Sequence, residues 1–350
     1  MNKTRKGFVS DNNSGVHPLI IQSLISANQG HELGYGEDSI TKQAVSEFKN
    51  EFGEDTDVFF VFNGTGANVI ALSCFINSYH SVICADTAHI YVDECGAMEK
   101  QTGSKLIIIK NKNGKIEPEE IKKQLSGFGV QHHSQPGVIS ISQVTELGTV
   151  YTVKEIKAIT DLAHSYGLYV HMDGARLANA AIALNLPFKT FTRDAGIDVL
   201  SFGGTKNGMM MGEAVLFFQP ELSKNVKYIR KQTTQLYSKM RFISAQFLAY
   251  FENDLWKKNA ENSNKMAKLL EKKLSALKEI KIVYPVESNE VFAIIPKRII
   301  SELQKSFFFY VWDESSSNVS TVRWVSSFDT KEEDIHNFVK KIKENLKLKI

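Results

Sequence analysis

Short apolar runs alternate along the chain with longer stretches in which apolar residues recur at helical spacing. Ile40, Ala44, Val45, Phe48 and Phe52 fall on one helical face, and DVFFVF (57–62) follows as a continuous apolar run. Six further runs of the same kind are SVICA (81–85), KLIII (105–109), GVISIS (137–142), LYVHM (168–172), IDVLSF (197–202) and EAVLFF (213–218). PEEIKKQL (118–125) and VKEIKAITDLAHSY (153–166) place helical periods between several of them. Strands that alternate with helices in this way predict βαβ units, hence an α/β fold on a mainly parallel, seven-stranded sheet covered on both faces.

From about Met240 the pattern changes. A long charged stretch of helical character extends to about Lys278, and IKIVYP, EVFAIIP, FFFYVW and VSTVRWV then add β-like segments. KEEDIHNFVKKIKENLKLK closes the chain as an amphipathic basic helix whose charges read as a solvated face. The division predicted is a large unit over residues 1–254, including the amino-terminal segment, and a smaller C-terminal α/β unit over 255–350.

Composition narrows the partners. The chain has 350 residues, 43% hydrophobic and 23% charged, the balance of an ordinary globular protein. A net charge of +3 is too small to suggest nucleic acid, and no apolar run approaches a membrane span. MNKTRKGFVSDNN is basic but leads into no apolar core, so it does not read as a secretory signal. Cys74, Cys84 and Cys95 form no C-x-x-C pair and read as free thiols of a reducing cytoplasm, with no metal site.

On such a sheet, ligands gather at the carboxyl ends of the strands, and five strand ends carry chemistry. NGTGAN (63–68) follows the first run. Gly64 and Thr65 at a helix start could cradle one phosphate, although a helix cap with a tight turn is the simpler reading of the motif alone. His89 follows SVICAD and could stack on a ring or move protons, or be a structural turn histidine. Asp173 and Arg176 lie in DGAR; a simple N-cap accounts for the aspartate, and the arginine could pair with it or face a substrate carboxylate. LSFGGTKNGMMMGEAVLFF (200–218) isolates Lys206 among apolar residues with no acid within six positions. Arg323 in VSTVRWV meets either a buried anion or solvent.

Together these features describe pyridoxal phosphate. Its phosphate would sit on Gly64–Thr65, its ring nitrogen would pair with Asp173, and its aldehyde would condense with Lys206. A lysine desolvated beside apolar residues favours the neutral, nucleophilic amine.

At these residues the chain resembles the low-specificity L-threonine aldolases, fold-type I pyridoxal-phosphate enzymes. The likeness runs from SDNNSGVHP through GHELGYGED, FNGTGAN, TAHIYVDECGA, TELGTVY, HMDGAR and FGGTKNGMMMGEAVLFF to SKMRFISA and VRWVSSFDT. It implies Lys206 as the Schiff-base lysine, Asp173 as partner of the pyridine nitrogen, and Gly64, Thr65 and Thr205 at the phosphate. It implies His89 over the cofactor ring and in proton transfer, and Ser10, Arg176 and Arg323 on the substrate carboxylate. A homotetramer with sites at a dimer interface is also implied, so that Tyr35, Lys231 and Arg241 would reach a neighbour's site. One position departs: the fourth residue after the histidine, aromatic in some members, is Asp93.

The resemblance implies reversible cleavage of L-threonine and L-allo-threonine to glycine and acetaldehyde. A related lyase, or an aldolase for another β-hydroxy amino acid such as phenylserine, would share the cofactor residues. A silent binding protein would be expected to lack the lysine or the aspartate, and a dinucleotide oxidoreductase would need a G-x-G-x-x-G loop that is absent.

Overall fold

The computed structural model describes residues 6–314 and 316–347. Met1–Arg5, Ser315 and Leu348–Ile350 lie outside the described residues, and with them the outer ends of the two expected units.

Each apolar run forms a strand of one seven-stranded sheet: β1 (Asp57–Val61), β2 (His80–Ala85), β3 (Lys105–Ile109), β4 (Gln135–Ser142), β5 (Tyr169–Gly174), β6 (Val199–Gly203) and β7 (Glu213–Phe217). Their order is β1-β7-β6-β5-β4-β2-β3. The pairs β2/β3, β2/β4, β4/β5 and β5/β6 are parallel, and only β7 runs against its neighbours β6 and β1.

Period-two alternation sends each strand's side chains to opposite faces. Val199, Val215 and Phe217 pack with Ala67 and Ile70 of the helix Gly64–Ser73. Leu200, Phe202 and Leu216 join Phe48, Phe52 and Phe247 on the other face. Phe48 meets Phe202 edge-on at 5.1 Å and Phe247 at 5.0 Å. This burial on both faces is why the strands read as unbroken apolar runs.

The charged stretch after Met240 divides in two. One helix spans Arg241–Phe251 and a second Leu255–Leu274, with Asn253 (φ 52°) and Asp254 (φ 56°) left-handed between them. Short polar side chains tolerate that conformation best, so the break falls where helical periodicity alone cannot reveal it.

A second, antiparallel sheet follows, from β8 (Lys281–Ile282), β9 (Glu290–Pro296), β10 (Tyr310–Asp313) and β11 (Val319–Val325), in the order β10-β11-β9-β8. The closing helix Glu332–Lys347 turns Ile335, Phe338, Val339 and Ile342 onto its core. FFFYVW does not form one strand. Phe307–Phe308 pairs instead with Lys6–Gly7, and Phe8 is buried in the second core beside Phe338. The amino-terminal residues, grouped with the large unit on the sequence, thus strap onto the smaller one.

Gly203, at the end of β6, lies against the DGAR turn. A Cβ there would stand 2.5 Å from the Ala175 carbonyl oxygen, so only glycine lets the two turns meet. Gly203→Ala should lower stability by about 1–3 kcal/mol through overpacking, read as a lower urea midpoint with an unchanged slope.

Candidate functional site

The carboxyl ends of β1, β2, β4, β5 and β6 open onto one cleft of about 420 Å³. Because β7 is antiparallel, its first residue, Glu213, pairs with Gly203 and enters the same cleft.

At the end of β1, Asn63 caps the helix Gly64–Ser73, its Oδ1 accepting the Gly66 N–H at 2.8 Å. Among the described residues the Gly64 and Thr65 N–H groups have no acceptor, and a Cβ on Gly64 would meet only open space. A helix start with free N–H groups and room in front of it suits an anion. The cap expected of this motif is therefore present, yet Asn63 supplies it and leaves the first two amides free.

Asp173 is not a helix cap. Its Oδ1 accepts the Ala175 N–H at 3.0 Å and its Oδ2 accepts from Asn68 Nδ2 at 2.9 Å. Burial works to raise its pKa, but His89, Asn68, His171 and Lys206 outweigh it and hold the carboxyl below its ordinary value. Asn68 also donates to Glu94 Oε1 at 2.8 Å, which in turn meets His89 Nδ1 at 2.8 Å. The bond to Glu94 raises the His89 pKa against the effect of burial, with Asp173 adding to the rise. His89, Glu94 and Asp173 bring ligating atoms within 4.8 Å of one another, but these hydrogen bonds already engage them.

Lys206 is half-buried on the cleft wall and makes no direct ion pair among the described residues. The acids missing from its sequence neighbourhood arrive from elsewhere. Its charge favours the ionised forms of Asp11, Asp173 and Glu213.

Two glutamates stand apart from these ionised groups. Burial pushes Glu213 up to about 7, against hydrogen bonds from Thr205 and the Gly204 N–H (2.6 Å) and the charge of Lys206. Glu146 also rises to about 7 through burial, although its Oε1 accepts from Ser142 Oγ at 2.6 Å and the His89 N–H at 2.9 Å.

A smaller lobe of about 350 Å³ adjoins the cleft and holds Ser10, Asp93, Arg176, Trp312 and Arg323. Arg176 does not pair with Asp173. Its Nε and Nη2 bind Asp11 at 2.7 and 3.1 Å, and its Nη1 lies 3.5 Å from Glu290. Arg323 faces the same Glu290 at 3.8 Å and stacks on the Trp312 ring at 5.0 Å. The buried-anion alternative for Arg323 is thus the observed one.

A model of the beta-eliminating lyase family matches residues 7–297. The chain belongs to this family. It is 42% identical over 327 residues to the low specificity L-threonine aldolase of Pseudomonas sp. (strain NCIMB 10558), 93% of each chain. It is 40% identical over 338 residues to that of Pseudomonas aeruginosa, 96% of each. The solved structure of Leishmania major threonine aldolase superimposes with a TM-score of 0.91 at 31% identity, covering 97% of this chain and 99% of that one.

In this chain the two lobes gather Ser10, Gly64, Thr65, His89, Asp173, Arg176, Thr205, Lys206 and Arg323. Tyr35, Lys231 and Arg241 are not among them. Lys231 Nζ lies 5.3 Å from the exposed Tyr35 ring, and Arg241 donates to the Gln29 and Gly30 carbonyls. The sequence reading missed Asp11, Asn68, Glu146, Glu213 and Glu290, and noted Glu94 beside His89 without giving it a role. Each could have been found only as a polar residue beside a motif, because none carries a spacing of its own.

The Glu213 shift has a testable sign. Folded protein keeps a proton that unfolded protein releases above about 4.5, so the stabilisation is present at low pH and is lost as pH rises through 7. Between pH 5 and pH 8, cofactor-free wild type should therefore lose about 2.5 kcal/mol relative to Glu213→Gln. Urea titrations at the two pH values check this, and parallel curves would contradict it.

Proposed function

We propose that the chain is a pyridoxal-phosphate-dependent aldolase that cleaves L-threonine and L-allo-threonine reversibly to glycine and acetaldehyde. The observation that carries this reading is the convergence on one cleft of Lys206, an ionised Asp173 and the open helix start at Gly64–Thr65. The residues fit the cofactor. Gly64, Thr65 and Thr205 would hold its phosphate, Asp173 its ring nitrogen, Lys206 its aldehyde and His89 the face of its ring.

When bound, the cofactor supplies an electron sink for the bond broken at the α-carbon. The protein's own residues do the rest. Ser10, Arg176 and Arg323 hold the substrate carboxylate in the smaller lobe and so orient the Cα–Cβ bond. Asp11 clamps Arg176 in one plane, which fixes where that carboxylate can sit. His89, Asn68 and Lys206 keep Asp173 ionised, and its bonds to Asn68 and the Ala175 N–H hold it where it would meet the ring nitrogen.

The reading extends to a cytoplasmic homotetramer serving threonine breakdown and glycine supply, in which Tyr35, Lys231 and Arg241 complete a neighbour's site. Leu33, Ile25 and Leu19, exposed at 71%, 57% and 54%, support burial against a second copy.

Incubation of the purified protein with L-threonine, L-allo-threonine and phenylserine should give glycine and the matching aldehyde. Ammonia and a keto acid would mark β-elimination instead. Lys206→Ala should lower turnover by at least about a thousandfold while the protein stays folded. Borohydride should fix a pyridoxyl group on the Lys206 peptide of the wild type alone.

Asp93 lines the smaller lobe beside His89 and Val92, where the β-substituent would lie. Asp93→Phe should shift the ratio of kcat/KM for threonine and allo-threonine by about tenfold, measured by competing the two substrates. An unmoved ratio would remove Asp93 from that pocket.

A further inference from the structure

Resting on the aldolase reading, one question remains open in the cleft: which group exchanges the proton of the substrate's β-hydroxyl. Cleavage requires that oxygen to lose a proton while the α-carbon gains one. His89 reaches both lobes but is held in place by a buried carboxylate. Its Nδ1 is held at 2.8 Å by Glu94, whose side chain is fully buried, and this bond favours the protonated ring.

Asp86 and Asp93 line only the smaller lobe and Glu94 only the larger, and two further carboxylates are committed elsewhere. Asp173 is engaged by Asn68 and the Ala175 N–H, and Asp11 by Arg176 and Asn289. Glu213 lines only the larger lobe, where it receives the Gly204 N–H. Glu146 is different. It lines both the larger lobe with Lys206 and the smaller lobe with Arg176 and Arg323, and no other carboxylate does so among the described residues. His89, Arg176 and Lys206 line both lobes as well, so Glu146 stands on the wall shared by the lysine and the arginines. Ser142 Oγ and the His89 N–H fix its Oε1, so the carboxyl is presented rigidly.

We propose that Glu146 is the catalytic acid–base residue at the β-oxygen, taking the hydroxyl proton in cleavage and returning it in synthesis, while His89 orients the ligand. In cleavage the O–H bonding pair becomes the second carbon–oxygen bond of acetaldehyde. The Cα–Cβ pair passes to the α-carbon, which takes up one proton to give glycine, and nothing is oxidised or reduced overall.

Burial sets the Glu146 carboxyl at about 7, where both protonation states are populated at neutral pH. The charged and titratable groups around it are Asp173, His89, Arg176 and Lys206 on the cleft walls, Asp86 and Asp93 across the smaller lobe, and Cys84 and Tyr151.

The test compares wild-type holoenzyme with Glu146→Gln and Glu146→Asp. Threonine cleavage is measured beside exchange of the glycine α-hydrogen with deuterium from solvent, which needs cofactor and Lys206 but no β-oxygen. In Glu146→Gln, cleavage should fall about 10²–10⁴-fold while exchange stays within about threefold. Bound-cofactor absorbance should be unchanged, and the acid limb of kcat/KM near pH 7 should vanish. Glu146→Asp, which keeps an acid, should recover part of the cleavage and the limb. Cleavage retained within about tenfold with its pH limb intact, or cleavage, exchange and cofactor absorbance lost together in both variants, would overturn the assignment. Failure of the wild type to release acetaldehyde would sink the aldolase reading itself, and this proposal with it.

Discussion

The two-bond contact between Arg176 and Asp11 joins the end of β5 to the amino-terminal segment, and much of the cleft depends on it. Both side chains are nearly removed from solvent, at 9% and 1% exposure. A buried pair of this kind is held by geometry, since losing one partner strands a charge at a cost of about 3–5 kcal/mol. The contact also has reach. Asp11 receives Asn289 Nδ2 at 3.1 Å, and three residues earlier the Phe8 carbonyl accepts the Val325 N–H of the second sheet. The strap therefore spans both sheets and sets the smaller lobe between them.

Charge matching around that strap explains how so many ionisable groups share one site. Arg176 and Arg323 flank Glu290, whose two oxygens have no hydrogen-bond partner, so its compensation is purely electrostatic. Lys206 is balanced at longer range by Asp11 and Asp173. Glu146 and Glu213 escape the need for matching because burial lets them hold protons near neutrality. The result is a cleft that combines fixed anions, Asp11 and Asp173, with two carboxyls that can change charge near neutrality.

The same division runs through the relation between sequence and site. Gly64, His89, Asp173 and Lys206 were legible because each lies within four residues of the end of an apolar run, and strand ends on a parallel sheet point one way. Asn68 lay one helical turn inside its helix, and Glu94 was an acid beside Asp93 without an assigned role. Nothing in their spacing says that Asn68 bridges Asp173 to Glu94. Glu213 became visible only through the antiparallel course of β7, which brings its first residue level with Gly203.

By itself the sequence determined the strands, their mainly parallel stacking and the positions at which chemistry could occur. Those follow from local periodicity and from residues next to strand ends. Only the tertiary structure decided that Arg176 pairs with Asp11 rather than Asp173, that the amino-terminal segment crosses to the smaller sheet, and that Tyr35, Lys231 and Arg241 stand away from this chain's own cleft. Partnership of a buried charge depends on distance through space, and residues 11, 176 and 290 acquire neighbours only when the chain closes on itself.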